Sequence, residues 1–209
     1  MKILNLYSGL GGNRMYWSNE HSVTAVEYNE YIAAAYKDMY PNDNVVVADA
    51  HQYLLDHYKE FDFIWASPPC QTHSRARAMA IWGGQNNEIK YPDLSLYQEI
   101  IFLKHFAKGD WIVENVIPYY DPLIQPTFKY GRHLYWSNKK LLLPKKEAKA
   151  IVTTKFDDMC KENNIDISKY TFKGLDKRQL VRNMVEPEDG KLIFETMLGI
   201  QEQKQGELL

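Results

Sequence analysis

The first half of the chain alternates short apolar runs with amphipathic stretches. That rhythm restricts its fold more than any other feature. Residues 2–7, 22–28, 44–47, 61–66 and 111–116 read as strands. Helices are expected through Trp17, over 31–39, near 52–58, and from a cap at Asp93 to Lys108. Strands separated by helical crossovers pair in parallel, with both sheet faces covered. The expectation is an α/β fold built on an open, mostly parallel sheet. At 209 residues the chain holds one medium-sized domain with room for a small appendage.

The rhythm is interrupted twice. Residues 72–92 are small, polar and basic, with Arg75, Arg77 and the pair Gly83-Gly84, and read as an irregular functional loop. Beyond Pro118, residues 127–138 and 140–143 are strand-like, 145–171 are lysine-rich and unassigned, 187–198 form a last helix, and 201–209 a polar tail. Net charge is −2, yet residues 139–182 hold 12 Lys/Arg against 6 Asp/Glu. Segregation of this kind marks either a phosphate-facing surface or a solvated lysine face.

Composition excludes several classes. Two cysteines, Cys70 and Cys160, rule out a disulfide framework and make a reducing, cytoplasmic setting the default. The six histidines lack metal-ligand spacing, so no metal is expected. No apolar run approaches the roughly 20 residues of a membrane span. The N-terminus passes directly into strand-like sequence, unlike a signal peptide.

Groups able to do chemistry collect at the ends of the strands, the edge where open α/β sheets bind ligands. After the first strand, Tyr7-Ser8-Gly9-Leu10-Gly11-Gly12 is a glycine turn that lets a cofactor lie close to the backbone. Arg14 takes the place of the third glycine of a dinucleotide fingerprint, which disfavours a nicotinamide site. Glu27 ends the second strand, where an acid accepts from ribose hydroxyls, and Asp49 follows the third. Ser67-Pro68-Pro69-Cys70-Gln71 presents a thiol on a rigid turn, where a cation or backbone amides would favour the nucleophilic thiolate. Glu114-Asn115-Val116 brings a carboxyl to the same rim, suited to proton transfer on a heterocycle.

In this order these segments resemble the DNA cytosine-5 methyltransferases, particularly the short phage and bacterial members. The likeness runs over residues 1–138 and 179–198. Within it, Gly131-Arg132-His133-Leu134-Tyr135-Trp136 is similar to the family's arginine motif and Arg182-Asn183-Met184-Val185 to its C-terminal motif. The resemblance implies a Rossmann-like S-adenosylmethionine-dependent methyltransferase fold. Residues 1–138 with 179–209 would form the catalytic domain, and 139–178 a small basic target-recognition region. Cys70 would attack carbon 6 of a flipped-out cytosine in double-stranded DNA. Glu114 would engage ring nitrogen 3 and the amine, and Asn115 would hold that region in shape. Tyr7, Ser8, Gly9, Gly11, Gly12, Glu27, Asp49, Pro69 and Asn183 would hold S-adenosyl-L-methionine. Gln71, Ser74, Arg75 and Arg77 would belong to a mobile loop on the DNA.

The chain departs from the family pattern in three places. Arg132 is followed by Leu134 where a second arginine is common, so Arg132, Arg75 or Arg77 would reach the cytosine carbonyl. Arg182 stands where glycine usually precedes Asn183. The recognition region is short. A tRNA-type cytosine-5 methyltransferase shares these motifs; a catalytically silent DNA-binding or regulatory protein would keep the fold, but the retained Cys70 and Glu114 argue against it. A restriction endonuclease partner, phage self-protection and host marking are all compatible with them.

Overall fold

The computed structural model describes residues 1–84, 89–147 and 155–200. The expected polar tail, and parts of the 72–92 and 145–171 stretches, lie outside the described residues. Strands β1 (Lys2–Leu6), β2 (Ser22–Glu27), β3 (Asn44–Val47), β4 (Phe63–Ala66) and β5 (Asp110–Val116) run parallel. Strands β6 (Phe128–Tyr130) and β7 (His133–Ser137) complete one seven-stranded sheet in the order β3-β2-β1-β4-β5-β7-β6, with β7 antiparallel to β5. The strand order reverses between β1 and β4. A crevice therefore opens there at the carboxyl ends of the strands.

Alternation along each strand divides the core. Leu4, Leu6, Ile64, Ala66, Trp111 and Val113 face α2 (Ala50–His57) and α4 (Ser95–Phe106). Ile3, Phe63, Trp65 and Ile112 face Trp17 and α7 (Pro187–Met197). Both faces are thus apolar, as a covered parallel sheet demands. A third cluster joins Leu10 and α1 (Glu30–Met39) to Met159, Ile165, Ile167, Phe172, Val181 and Met184. The basic stretch, with α5 (Phe156–Glu162) and α6 (Lys177–Arg182), packs through it onto α1 and the turn after β1.

Several elements differ from the sequence reading. No helix follows the glycine turn; Gly11, Gly12 and Arg14 accept successive i+3 bonds from Arg14, Met15 and Trp17 instead. The side chain of Arg14 is 2 % exposed and turns inward to meet Asp43 at 2.9 Å, which also takes the Tyr36 hydroxyl. Replacing Asp43 with alanine strands that guanidinium in the core, and should cost about 3–5 kcal/mol. Denaturant unfolding checks this; a loss below about 1 kcal/mol, the value of an exposed pair, would contradict it. Residues 75–82, read as loop, form α3 (Arg75–Trp82). Its Arg-Ala-Arg-Ala-Met-Ala core consists of strong helix formers, a preference that outweighs its lack of an apolar stripe. Residues 140–143 are not a strand; Leu141 and Leu143 pack on the second core without joining the ladder. Among the described residues, no helix is long and apolar enough to cross a membrane.

Candidate active site

The turn after β4 is fixed from both neighbouring strands. The Ser67 amide donates to Leu6 at 3.2 Å, extending the ladder past the strand. Asn115 Nδ2 donates to the Pro68 carbonyl at 2.9 Å, and the Asn115 Oδ1 accepts from the Val116 amide. The His73 amide closes the turn onto the Cys70 carbonyl. Proline at 68 and 69 supplies no amide hydrogen, so these contacts come from outside the turn. The result is a thiol held, partly buried, at the switch point of the sheet.

A cavity of about 480 Å³ occupies that crevice. Tyr7, Ser8, Gly9, Gly12, Glu27, Asp49, Pro69 and Asn183 line it, as do Cys70, Gln71 and Glu114. Gly11, read as a cofactor residue, is not in this lining. A Cβ there would stand 2.5 Å from the Tyr40 ring and 2.8 Å from that of Tyr36, so the glycine serves packing. Gly9 has φ +52° and donates its amide to Glu27 Oε2 at 3.0 Å, while Asn29 donates to Oε1 at 2.9 Å. Each Glu27 oxygen keeps a lone pair for a diol. Asp49 caps α2 by accepting from the Gln52 amide at 2.8 Å and still reaches the cavity. Ser8 Oγ is buried without a protein partner in the same wall. An acid at the end of each of β2 and β3, a glycine turn and an orphaned hydroxyl suit a ligand with a ribose and an amino-acid end.

The reactive groups have displaced proton affinities. Burial and the nearby Glu114 carboxyl push the Cys70 thiol up to about 11; Arg132 and Arg182 oppose the rise only in part. The expected thiolate is therefore not the resting form, because desolvation outweighs both cations. Burial raises Glu114 to about 7, against the lowering effects of the Ser67 hydroxyl and Arg132. A carboxyl poised there can hold or release a proton at neutral pH.

Other expected site residues stand further out. Arg132 Nη2 donates to the carbonyls of Arg182 and Met184 at 3.2 Å each, and Nε lies 3.7 Å from Glu186. It ties β7 to the segment between α6 and α7 and does not line the cavity. Ser74 precedes α3, and Arg75 Nε donates to the Pro118 carbonyl at 3.0 Å; Arg77 lies on the same helix. Two groups escaped the sequence reading. Glu99, wholly buried on α4, accepts from the Tyr7 hydroxyl and stands 3.7 Å from His51. His133 lines the cavity beside Glu114. Only the pairing of β5 with β7 reveals the second.

A sheet of this order, with acids closing a glycine-lined crevice, has the Rossmann-like fold of S-adenosylmethionine-dependent methyltransferases. The chain belongs to the C-5 cytosine-specific DNA methylase family, whose family model matches residues 1–117. Over 80 residues it is 35% identical to a tRNA (cytosine(38)-C(5))-methyltransferase of Spodoptera frugiperda; this covers 35% of the chain and 24% of that relative. The chain thus matches about a quarter of that protein's length. A solved Spodoptera frugiperda DNMT2 variant shares 28% identity at a TM-score of 0.38, covering 55% of this chain and 35% of its own. A putative DNA modification methyltransferase from an E. coli prophage shares 19% at 0.39, covering 58% and 33%.

Proposed function

We propose that this chain methylates carbon 5 of cytosine in DNA through a covalent bond from Cys70 to a flipped-out base. The observation that carries the reading is the shared cavity of Cys70 and Glu114, continuous with the wall of Glu27, Asp49 and the glycine turn. Bound S-adenosylmethionine supplies an electrophilic methyl group; Ser8, Gly9, Glu27, Asp49 and Asn183 would hold it. The chain's own residues then act on the pyrimidine. As Cys70 Sγ gives up its proton to water and bonds to carbon 6, Glu114 donates its proton to ring nitrogen 3 and receives the amine, leaving carbon 5 electron-rich. After the transfer, carbon 5 loses its proton to water, Cys70 leaves as the thiolate, and ring nitrogen 3 returns its proton to Glu114 as the ring regains aromaticity. Asn115 keeps the Pro68 carbonyl, and with it the thiol, in place.

This chemistry is closed to a stacked base, so flipping is part of the reading and costs a few kcal/mol. Helix α3 begins five residues past Cys70, with Arg75 and Arg77 on it and Met79 and Trp82 exposed. Cations and apolar side chains beside the cavity suit contact with an opened duplex. Target contact is assigned to residues 139–178. There Lys139, Lys146 and Lys169 are paired with acids, and exposed Lys140, Lys145, Lys155, Lys161 and Lys173 are the candidates for phosphate.

The likeness to a tRNA methyltransferase favours a second reading, in which the same chemistry acts on RNA. Labelled methyl donor offered with DNA and with tRNA separates the two. Label in DNA is expected; label in tRNA alone would overturn the DNA reading. Bisulfite sequencing of DNA from expressing cells then gives the sequence context.

A further inference from the structure

The antiparallel ladder sets Val116 opposite His133 and Glu114 opposite Tyr135. Residues two apart share a face, so His133 is the diagonal neighbour of Glu114 on the cavity side. Its Nε2 lies 3.4 Å from Glu114 Oε1, and the two side chains are 3 % and 7 % exposed. Arg132, one residue earlier, is engaged by the Arg182 and Met184 carbonyls. The imidazole is neutral, since burial and the positive charges of Arg132 and Lys146 push it down to about 3. The Ser67 hydroxyl beyond β4 and the charge of Arg132 act on Glu114, and its own charge is felt by the Cys70 thiol and by Tyr135 of β7. A neutral ring lying 3.4 Å from a carboxyl oxygen adds no charge there, whereas a cation at that distance would favour the carboxylate and remove the acid.

We propose that His133 is the positioning residue for Glu114, its ring holding one carboxyl oxygen so that the other meets the pyrimidine with its proton available. This rests on the cytosine reading above, but the contact itself is testable without substrate. The carboxyl carbon of Glu114 is followed by NMR against pH in the wild type and in His133→Leu, His133→Gln and His133→Lys. The Leu variant should titrate higher, because an apolar side chain replaces the polar ring beside the carboxylate. The Lys variant should titrate lower, and Gln should stay near the wild type. In methyl transfer, His133→Leu should lower kcat about 10²-fold, with the KM for S-adenosylmethionine unchanged, and Gln should recover most of it. Binding of S-adenosylhomocysteine confirms that each variant is folded. If a folded Leu variant leaves both the Glu114 titration and kcat at wild-type values, the inference is overturned. If the titrations shift as expected but wild-type protein methylates neither DNA nor tRNA, the functional reading fails and the positioning role with it; the structural contact alone survives.

Discussion

Replacing Cys70 with alanine should lower methyl transfer by at least about 10³-fold, because among the described residues no other thiol lines the cavity to bond carbon 6. S-adenosylmethionine binding should change little, since the glycine turn, Glu27 and Asp49 lie at or just past the ends of β1, β2 and β3, across the crevice from the thiol. Thermal unfolding should also stay close to wild type. The side chain is only partly buried, and its removal breaks no backbone contact of the turn, which Asn115 and Leu6 hold. Serine at this position should fare little better, its oxygen being a weaker nucleophile held equally protonated. The check is a labelled-methyl assay at saturating donor, paired with calorimetry of donor binding. A variant with more than about a tenth of wild-type activity would require a different nucleophile or a mechanism without one.

The second large effect concerns Glu114. The active form needs a thiolate at Cys70, which gains its proton below about 11, together with an acid at Glu114, which loses its proton above about 7. Below about 7 Glu114 is protonated throughout, and the thiolate rises about tenfold per pH unit. Above it, each gain in thiolate is cancelled by loss of the acid. The kcat/KM for nucleic acid should therefore climb to near pH 7 and then level off. Glutamine at 114 cannot give up a proton, so the levelling should vanish and the rate should rise onward toward the thiol value. At neutral pH it should be lower by about 10²–10⁴-fold, the usual contribution of a positioned acid. A Glu114→Gln profile that still levels near pH 7 would assign that break to another group.

The alternating strands and helices were legible because a covered parallel sheet leaves long apolar runs, as in β1 and β4, that only such a fold buries. Once the strands are parallel, every βα turn falls on one edge. That is why the sequence alone brings Gly9, Glu27, Asp49, Cys70 and Glu114 to one rim. Strand limits slipped by a residue or two: β1 stops at Leu6, since Tyr7 takes a φ of 54°. Helix α3 was missed because small basic residues were read for polarity, whereas alanine propensity decides an exposed helix. The thiol's proton affinity was misjudged because polar neighbours in sequence say nothing of desolvation in space. The Arg14–Asp43 pair, the Tyr7–Glu99 bond and the His133–Glu114 contact link residues 29, 92 and 19 positions apart. They depend on which strands and helices become neighbours, which local pattern does not encode.

The central claim, covalent attack by Cys70 on a cytosine ring, is tested most directly with DNA carrying 5-fluorocytosine. Fluorine at carbon 5 blocks the proton loss that lets the sulfur leave. Wild-type protein with S-adenosylmethionine should become bonded to that DNA and survive denaturing electrophoresis. Digestion and mass spectrometry should place the linkage on the peptide containing Cys70. The Cys70→Ala variant should leave the DNA free. Equal trapping of the two proteins, or no trapping of a wild type that methylates ordinary cytosine, would contradict the mechanism.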